Sequence, residues 1–409
     1  MNRPCCRACG APLSHTVADL GLSPLSNAYV PMARAREGER FLPLHAFVCD
    51  QCWLVQLEAF ETPENIFSDY AYFSGFSTSW LAHAERYVAA MTARFSLGPG
   101  SKVVEVASND GYLLQYFVGR GVPVLGVEPA ANVAKVARER GVPSEVAFFG
   151  AETARRLVAE GHAADLTAAN NVLAHVPDIL DFVAGFQVIL KPEGAGTFEF
   201  PHLLRMIAEK QFDTIYHEHF SYLSLGVVSG LLERNGLRVF DVEALPTHGG
   251  SLRVFFCHRD AAHAATPAVE RVIGAERAAG LFALPGYARF AEDVVAIKCD
   301  SLDFLIAQRR AGKRVCGYGA AAKGNTFLNY CGIGPELVRA VADRSPHKQG
   351  TLLPGSRIPV VSPDAMLALR PDYVLILPWN IKDEVFEQMA AIRDWGGRFV
   401  TCIPALDVR

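Results

Sequence analysis

The sequence contains a His-Glu-His triplet within residues 214–224, TIYHEHFSYLS. In an extended strand, His217 and His219 would point to one side, as two ligands of a metal ion do. His175 or His248 could supply a third ligand, but the H-E-x-x-H spacing of helical zinc enzymes is absent. A histidine next to a carboxylate can equally act as a general acid or base, because its pKa lies near neutrality. A loop without chemistry is the third interpretation.

Four cysteines near the start of the chain form two C-x-x-C pairs, Cys6 with Cys9 and Cys49 with Cys52. Two such pairs can complete a tetrahedral zinc shell, and a site closed by four thiolates has no open position for catalysis. A redox C-x-x-C motif would stand alone beside a βαβ unit. We therefore predict structural Zn²⁺, with Cys5 as a competing neighbour and a ribbon that keeps its shape without metal as the alternative.

Strands and helices alternate from residue 102 onward. Such alternation predicts a parallel sheet with helices on both faces. A terminal pair of strands is expected from LRVFDVEAL and GSLRVFFCH, joined by a loop that contains His248. The predicted parallel strands are KVVEVA, VPVLGVEP, ADLTAANNV and GAGTFEFP.

A long helical stretch is expected at roughly 267–311, followed by a second α/β unit that opens with KRVCGYGAAAKGNTFLNYCG. The fold class is therefore α/β with three parts. These are a zinc-binding ribbon (1–70), a central α/β domain (71–265), and a helical connection with a C-terminal α/β domain (266–409).

The bulk composition is that of a soluble globular protein. The chain of 409 residues is longer than one ordinary core requires, so two or three domains are expected. A net charge of −4 argues against a nucleic-acid binder, which needs a dense basic face. No apolar run approaches the roughly 20 residues of a membrane span, and the first residues do not resemble a signal peptide. We expect a cytoplasmic protein that binds neither nucleic acid nor membrane, as a monomer or a homodimer.

The turn after the first predicted strand runs from Glu105 to Gly111 and has one glycine, so it fits a dinucleotide fingerprint poorly. The next strand ends at Glu128, where a carboxylate can accept hydrogen bonds from ribose hydroxyls. Acids that end both strands, with Asp-Gly in the turn, resemble class I S-adenosylmethionine methyltransferases. Helix capping, as by Asp110, is the alternative. The candidate cofactor-binding residues are Glu105, Ala107, Asn109, Asp110, Glu128, Asn170 and Asn171.

Four signals in this order resemble the sugar C-methyltransferases of deoxysugar biosynthesis. They are the C-x-x-C pairs, YHEHFSYLS, LPTHGGSLRV and GYGAAAKGNTFLNYCGIGP, and the resemblance covers nearly the whole chain. It implies a zinc-binding domain, a Rossmann-like methyltransferase core and a Rossmann-like nucleotide-sugar domain. It also implies methyl transfer from S-adenosylmethionine to a carbon beside the ketone of a nucleotide-linked 4-keto-deoxysugar, with dTDP as the expected nucleotide. Whether C3 or C5 is methylated stays open.

The same resemblance implies roles for individual residues. His219 matches the general base, and Glu218 beside it would orient or polarise the imidazole. Tyr216 and His175 match residues near the keto group. Tyr72 matches a tyrosine of the segment that closes over the site.

Residues 317–326, GYGAAAKGNT, lead from a predicted strand into a helix. Backbone N–H groups at the helix start, together with Lys323, would form a diphosphate site. The spacing is not that of a Walker A motif, and a tight turn with a solvated lysine is the alternative. The candidate substrate-binding residues are Tyr318, Lys323, Asn325, Thr326, Lys348, Trp379 and Asn380.

Three other functions are compatible with parts of the sequence. An O- or N-methyltransferase would need no carbon acid. A nicotinamide-dependent oxidoreductase would use the C-terminal unit, but that unit lacks G-x-G-x-x-G and a suitable ribose-binding acid after its next strand. A zinc-ribbon nucleic-acid module is disfavoured by the acidic charge balance.

Overall fold

The computed structural model describes residues 4–62, 74–76 and 78–409. The β-strands of this part are β1 (His15–Ser23), β2 (Val30–Pro31), β3 (Leu42–Val48), β4 (Val55–Leu57), β5 (Val103–Val106), β6 (Val124–Val127), β7 (Ser144–Glu145), β8 (Ala164–Asn170), β9 (Leu190–Pro201), β10 (Ser221–Tyr222), β11 (Leu237–Leu245), β12 (Ser251–His258), β13 (Val315–Tyr318), β14 (Val341–Ala342), β15 (Thr351–Leu352), β16 (Val360–Val361), β17 (Tyr373–Ile376), β18 (Arg398–Thr401) and β19 (Asp407–Val408). The α-helices are α1 (Thr78–Arg94), α2 (Leu114–Val118), α3 (Ala131–Glu139), α4 (Ala151–Ala159), α5 (Ile179–Ile189), α6 (Leu203–Ala208), α7 (Leu225–Arg234), α8 (Pro267–Ala278), α9 (Phe290–Arg310), α10 (Ala322–Cys331), α11 (Pro363–Ala368) and α12 (Lys382–Gln388).

The central sheet has the strand order β11-β12-β9-β8-β5-β6-β7. Its strands from β9 to β7 are parallel, and β12 and β11 are antiparallel to their neighbours. Every residue of β5 and β6 is buried, as is typical of strands covered on both faces. The predicted parallel sheet with a terminal strand pair is confirmed.

The C-terminal sheet has the order β16-β14-β13-β17-β18-β19, and all its pairs are parallel except that of β18 with β19. The glycine-rich turn follows β13 and leads into α10. The predicted second α/β unit is therefore confirmed as a Rossmann-like sheet.

The helical stretch expected at roughly 267–311 consists of two helices, α8 and α9, with a break between them. Gly280 lies between them at φ +81°, and a Cβ on Gly286 would come within 2.2 Å of the Gly280 carbonyl oxygen. This close backbone approach needs glycine at both positions and ends the first helix. Among the described residues, no helix is both long and apolar enough to span a membrane.

The N-terminal sheet has the order β1-β3-β4-β10 and takes its last strand from the central part of the chain. In this pairing Ser221 lies opposite Gln56, and Tyr222 lies opposite Val55. A second link joins β2 to β15 of the C-terminal part, next to an ion pair between Arg357 and Glu39. The zinc-binding part therefore contacts both other parts and holds the segment that follows the His-Glu-His triplet.

A buried carboxylate connects α8 to the core of the central part. Glu276, on α8, is fully buried and accepts hydrogen bonds from the backbone N–H groups of Leu225 (2.6 Å) and Gly226 (3.0 Å). His202 Nε2–H donates to the same carboxylate at 2.7 Å. The negative charge lies at the start of α7, where the helix dipole stabilises it.

We expect Glu276→Ala to lower the free energy of unfolding by about 3 kcal/mol, because three donors, two of them buried, lose their acceptor. Calorimetry would show a lower thermal midpoint. Arg277→Ala, at the exposed neighbouring position, should change the unfolding free energy by less than about 0.5 kcal/mol and serves as the control. Equal midpoints for the two variants would contradict this role.

Candidate active site

The four cysteines of the two C-x-x-C pairs come together as one cluster. Their sulfur atoms all lie within 4.8 Å of one another, with Cys6 Sγ at 3.4 Å from Cys52 Sγ and Cys9 Sγ at 3.5 Å from Cys49 Sγ. Tetrahedral zinc with Zn–S bonds of about 2.3 Å needs sulfurs about 3.8 Å apart, so the set fits the ion. The cluster contains Cys6 and excludes Cys5.

The backbone around the cluster has the form of two tight knuckles. Gly10 and Trp53, each directly after the second cysteine of a pair, have φ values of 75° and 64°. Their N–H groups donate to the carbonyls of Cys6 and Cys49. Gln56 adds an outer contact, since its Nε2–H donates to Cys6 Sγ at 3.1 Å.

The turn after β5 is shaped for close approach of a ligand. Ala107, Asn109 and Gly111 all have positive φ, at 58°, 48° and 76°. The carboxylate of Glu128 fixes this turn, because its oxygens accept the N–H groups of Asn109 and Ala130, each at 2.9 Å. Burial raises the pKa of the Glu128 carboxyl.

Two buried side chains at neighbouring strand ends fit a polar cofactor. Neither amide atom of Asn170 has a hydrogen-bond partner among the described residues. Glu105 is fully buried, and burial raises the pKa of its carboxyl well above the usual range. Asn171, with φ 54°, donates its N–H to the Glu199 carbonyl at 2.7 Å. Hydrogen bonds from a bound ligand would compensate the buried polar groups of the Asn170 and Glu105 side chains.

Asp110 has a structural role in this turn. Its carboxylate pairs with Arg140 at 2.8 Å and accepts the Gly75 N–H at 3.1 Å. The Ser74 N–H donates to Asn109 Oδ1 at 2.8 Å, so residues 74–76 lie over the turn. Tyr72 lies outside the described residues.

The His-Glu-His triplet forms a turn, so the extended form in which both histidines face one side was wrong. The His219 N–H donates to the Tyr216 carbonyl at 2.8 Å. His217 points toward the N-terminal sheet, where its Nε2–H donates to the Pro43 carbonyl at 3.1 Å. Within the described ranges, the four-cysteine cluster is the one set of three or more histidine, cysteine, aspartate or glutamate side chains close enough together to hold a metal ion.

The imidazole of His219 is held in one orientation. Its Nδ1 lies 2.8 Å from the Thr214 carbonyl oxygen, which can only accept, so Nδ1 carries the proton. Nε2 then accepts from the Tyr216 hydroxyl at 2.7 Å. Burial and the nearby His175, whose ring centroid is 4.7 Å away, lower the pKa of His219 well below its usual value. Nε2 is therefore unprotonated at neutral pH.

In the described part of the chain, Glu218 makes no hydrogen bond to His219, contrary to the expectation that it orients the imidazole. Its Oε1 accepts from Asn27 Nδ2 at 2.7 Å, and burial raises the pKa of its carboxyl to about 6. The Thr214 carbonyl orients the ring instead. Burial lowers the pKa of His175 to about 4, which keeps that histidine neutral as well.

The C-terminal part contributes a cation to the same cluster. Lys323 Nζ lies 4.8 Å from the centroid of the Trp379 ring and donates to Asn380 Oδ1 at 3.3 Å. Trp379 Nε1–H donates to the buried Asp213 at 2.8 Å, and burial raises the pKa of that carboxyl to about 6. The positive charge of Lys323 contributes to the lowered pKa of His219. Sequence reasoning missed Asp213, because its partner is distant along the chain.

The other candidate substrate-binding residues contact the protein itself. Asn325 Nδ2–H donates to the Ser26 carbonyl at 2.5 Å, and Thr326 Oγ1–H donates to the Ile215 carbonyl at 3.0 Å. The Tyr318 hydroxyl donates to Gln388 at 2.5 Å. Lys323, with Trp379 and Asn380 beside its ammonium, lies near enough to His219 to lower the pKa of that histidine. The side chains of Tyr318, Asn325 and Thr326 instead bond to other elements of the protein.

An acid follows the second strand of the C-terminal unit. Asp343 comes directly after β14, and its carboxylate accepts the N–H groups of Ala320 and Ser345, each at 2.8 Å. Lys348 donates to the Ala320 carbonyl at 2.7 Å. The acid therefore stabilises the glycine-rich turn, in which Gly319 has φ +90°.

Comparison with known proteins identifies the family. The model described as "C-methyltransferase C-terminal domain" matches residues 246–404, a methyltransferase domain model matches 80–242, and a zinc binding domain model matches 6–67. C-methyltransferase NovU of Streptomyces niveus is 37% identical over 399 residues, which cover 98% of this chain and 95% of that protein. The chain belongs to the C-methyltransferase family. This C-methyltransferase depends on S-adenosylmethionine, binds zinc through its cysteine cluster and acts on a small-molecule substrate.

More distant relatives match part of the C-methyltransferase. Ubiquinone biosynthesis O-methyltransferase of Bartonella bacilliformis is 30% identical over 103 residues, covering 24% of this chain and 42% of that protein. The solved magnesium protoporphyrin IX methyltransferase of Synechocystis PCC 6803 is 14% identical, with a TM-score of 0.34. The match covers 44% of this chain and 79% of that one. A methyltransferase structure from Mesorhizobium loti is 16% identical, with a TM-score of 0.35. The match covers 43% of this chain and 99% of that one.

We expect Cys49→Ser to abolish zinc binding, because three ligands cannot close the tetrahedral shell. Metal analysis of purified protein should give about one zinc ion per wild-type chain and almost none for this variant. Cys5→Ser is the matched control and should retain zinc, since Cys5 lies outside the cluster. Loss of zinc in Cys5→Ser alone would contradict the ligand assignment.

Proposed function

We propose that the protein methylates a carbon beside the ketone of a nucleotide-linked 4-keto-deoxysugar, with His219 as the general base and dTDP as the expected nucleotide. The observation that carries this proposal is the oriented Nε2 of His219, unprotonated and next to Tyr216 and His175. Methylation at carbon needs a base that removes the C–H proton and leaves an enolate. Methylation of a hydroxyl group forms no enolate.

The surroundings of His219 keep it in the form that can accept a proton. Burial lowers its pKa, so the ring is neutral at pH 7, and the same shift makes it a weaker base than an exposed histidine. The bound substrate would take the place of the Tyr216 hydroxyl at Nε2, which frees that hydroxyl to donate to the ketone oxygen. The proton of the substrate carbon then moves to Nε2, and the electron pair of the broken C–H bond delocalises onto the ketone oxygen as an enolate. The Thr214 carbonyl accepts the Nδ1–H bond, which becomes stronger when the ring carries a positive charge.

Tyr216 and His175 are the proposed donors to the enolate oxygen. Both are close to His219, since the Tyr216 hydroxyl is 2.7 Å from Nε2 and the His175 ring contacts the His219 ring edge-on. His175 is neutral, with a pKa of about 4, and can donate a hydrogen bond without protonating the enolate. Each well-placed donor would lower the barrier by about 3 kcal/mol.

The carboxyl ends of the central strands are the proposed cofactor site. Glu128, Asn170 and the turn over 107–111 would hold S-adenosylmethionine, which supplies a methyl group on a positively charged sulfur. The buried polar atoms of Asn170 would then gain partners, and the positive φ values of the turn allow its backbone close to the ligand.

The nucleotide diphosphate is proposed to lie near Lys323 at the start of α10. A partly buried ammonium between Trp379 and Asn380 is poorly solvated, so an anionic ligand would stabilise its charge. N–H groups at the helix start would add hydrogen bonds. The sugar would then extend from this site toward His219, whose pKa already reflects the charge of Lys323.

We expect His219→Ala to lower kcat by about 10²- to 10⁴-fold, because the reaction loses its base. Isothermal titration should still detect S-adenosylhomocysteine and dTDP with affinities within about threefold of wild type. His217→Ala is the matched control and should keep most of its turnover, since His217 faces Pro43.

Hydrogen exchange provides the decisive check on carbon chemistry. In D₂O, with S-adenosylhomocysteine in place of the methyl donor, wild-type protein should exchange the hydrogen beside the ketone faster than His219→Ala does. Unchanged turnover of His219→Ala would eliminate the base assignment. Transfer to oxygen or nitrogen, identified by NMR of the product, would eliminate C-methylation of this substrate.

We expect Lys323→Met to raise the KM for the nucleotide-sugar by about 10- to 100-fold, because a charge-assisted contact to the diphosphate is lost. The KM for S-adenosylmethionine should stay unchanged. Lys313→Met removes an exposed cation from the other end of the same sheet and should change neither KM. An unchanged nucleotide-sugar KM in Lys323→Met would contradict the diphosphate site.

A further inference from the structure

Arg7 lies inside the first zinc knuckle, between Cys6 and Cys9, yet its side chain extends to the catalytic cluster. Its backbone N–H donates to Gln56 Oε1 at 2.9 Å, and Gln56 in turn donates to the sulfur of Cys6. The position of Arg7 is therefore tied to the geometry of the cysteine cluster through its main chain.

The guanidinium of Arg7 joins three segments at once. Nη1–H donates to the Pro177 carbonyl at 2.9 Å, and Nη2–H donates to the Leu57 carbonyl at 2.5 Å. Its Cζ lies 5.3 Å from the centroid of the Phe220 ring. Pro177 follows His175 by two residues, and Phe220 follows His219 directly. One side chain thus contacts the chain next to both histidines of the proposed acid/base set.

Guanidinium geometry suits this task. The group is planar and rigid, with donors on separate nitrogens that can reach two carbonyls in fixed directions, and its face can pack on an aromatic ring. The Leu57 N–H also donates to the Phe220 carbonyl at 3.1 Å, so the arginine and the strand pairing fix the same residue. Small displacements of a catalytic group reduce the rate strongly.

We propose that Arg7 is a positioning residue. Extending from the zinc knuckle, it sets the distance between His175 and His219. The inference rests on the proposed function of His219. The role assigned to Arg7 is positioning, because its two guanidinium hydrogen bonds end on the backbone carbonyls of Pro177 and Leu57. Zinc bound by the four cysteines would fix the knuckle from which Arg7 extends.

A second arginine offers a matched control. Arg234 Nη1–H donates to the Ala8 carbonyl at 2.7 Å, so it also anchors the first knuckle to the central part. This hydrogen bond ends at the backbone of the knuckle, and Arg234 itself lies at the end of α7. Removal of Arg234 should thus reproduce the lost anchoring of the knuckle without changing the segments next to the histidines.

The test compares Arg7→Ala, Arg7→Lys, Arg234→Ala and His219→Ala. We expect Arg7→Ala to retain zinc and to bind S-adenosylhomocysteine and dTDP within about twofold of wild type, while kcat falls by about 10- to 100-fold. Arg234→Ala should keep wild-type kcat. Arg7→Lys should show an intermediate kcat, because one ammonium cannot reach both carbonyls and the ring. If Arg7→Ala fails to fold, the kcat of Arg7→Lys tests the positioning role.

The outcomes separate the two proposals. Wild-type kcat in the Arg7 variants, with His219→Ala inactive, would overturn the positioning role and leave the proposed function intact. Full activity of His219→Ala would overturn the proposed function and this inference together. An equal fall of kcat in Arg7→Ala and Arg234→Ala would show a general effect of knuckle anchoring, and would also overturn the specific role of Arg7.

Discussion

The antiparallel pairing of β10 with β4 is the constraint on which the arrangement of the site depends. β10 begins two residues after His219, so completing the N-terminal sheet also fixes the path of the turn that contains His219. Edge strands need partners for their N–H and C=O groups, and here the partner comes from another part of the chain. The zinc-binding part is thus a support for the active site as well as a module with its own metal.

Burial sets the protonation states of this cluster. His175 and His219 are kept neutral, and the carboxyls of Glu218 and Asp213 have raised pKa values. Lys323 is the cation among them, and burial lowers its pKa while Asp213 opposes that change. Neutral histidines beside one desolvated cation are compatible with the anionic substrate proposed above.

The two Rossmann-like sheets use the same position differently. In the central sheet, the acid after the second strand, Glu128, holds the turn beside the proposed cofactor site. In the C-terminal sheet, Asp343 holds the glycine-rich turn while Lys323 extends to the other part's histidines. In the proposed function, a similar fold serves as a cofactor site in one case and as a wall of the substrate site in the other.

Sequence alone determined the cysteine cluster, the alternating strands and helices, and the acids at strand ends, because spacing and hydrophobic period are local properties. It also selected His219 and Lys323, although the roles of the site residues remain predictions. Only the tertiary structure decided that His217 turns away, that Glu218 meets Asn27, and that Asp213 binds Trp379. Those contacts join residues far apart along the chain, and no local pattern encodes which distant groups burial will bring together.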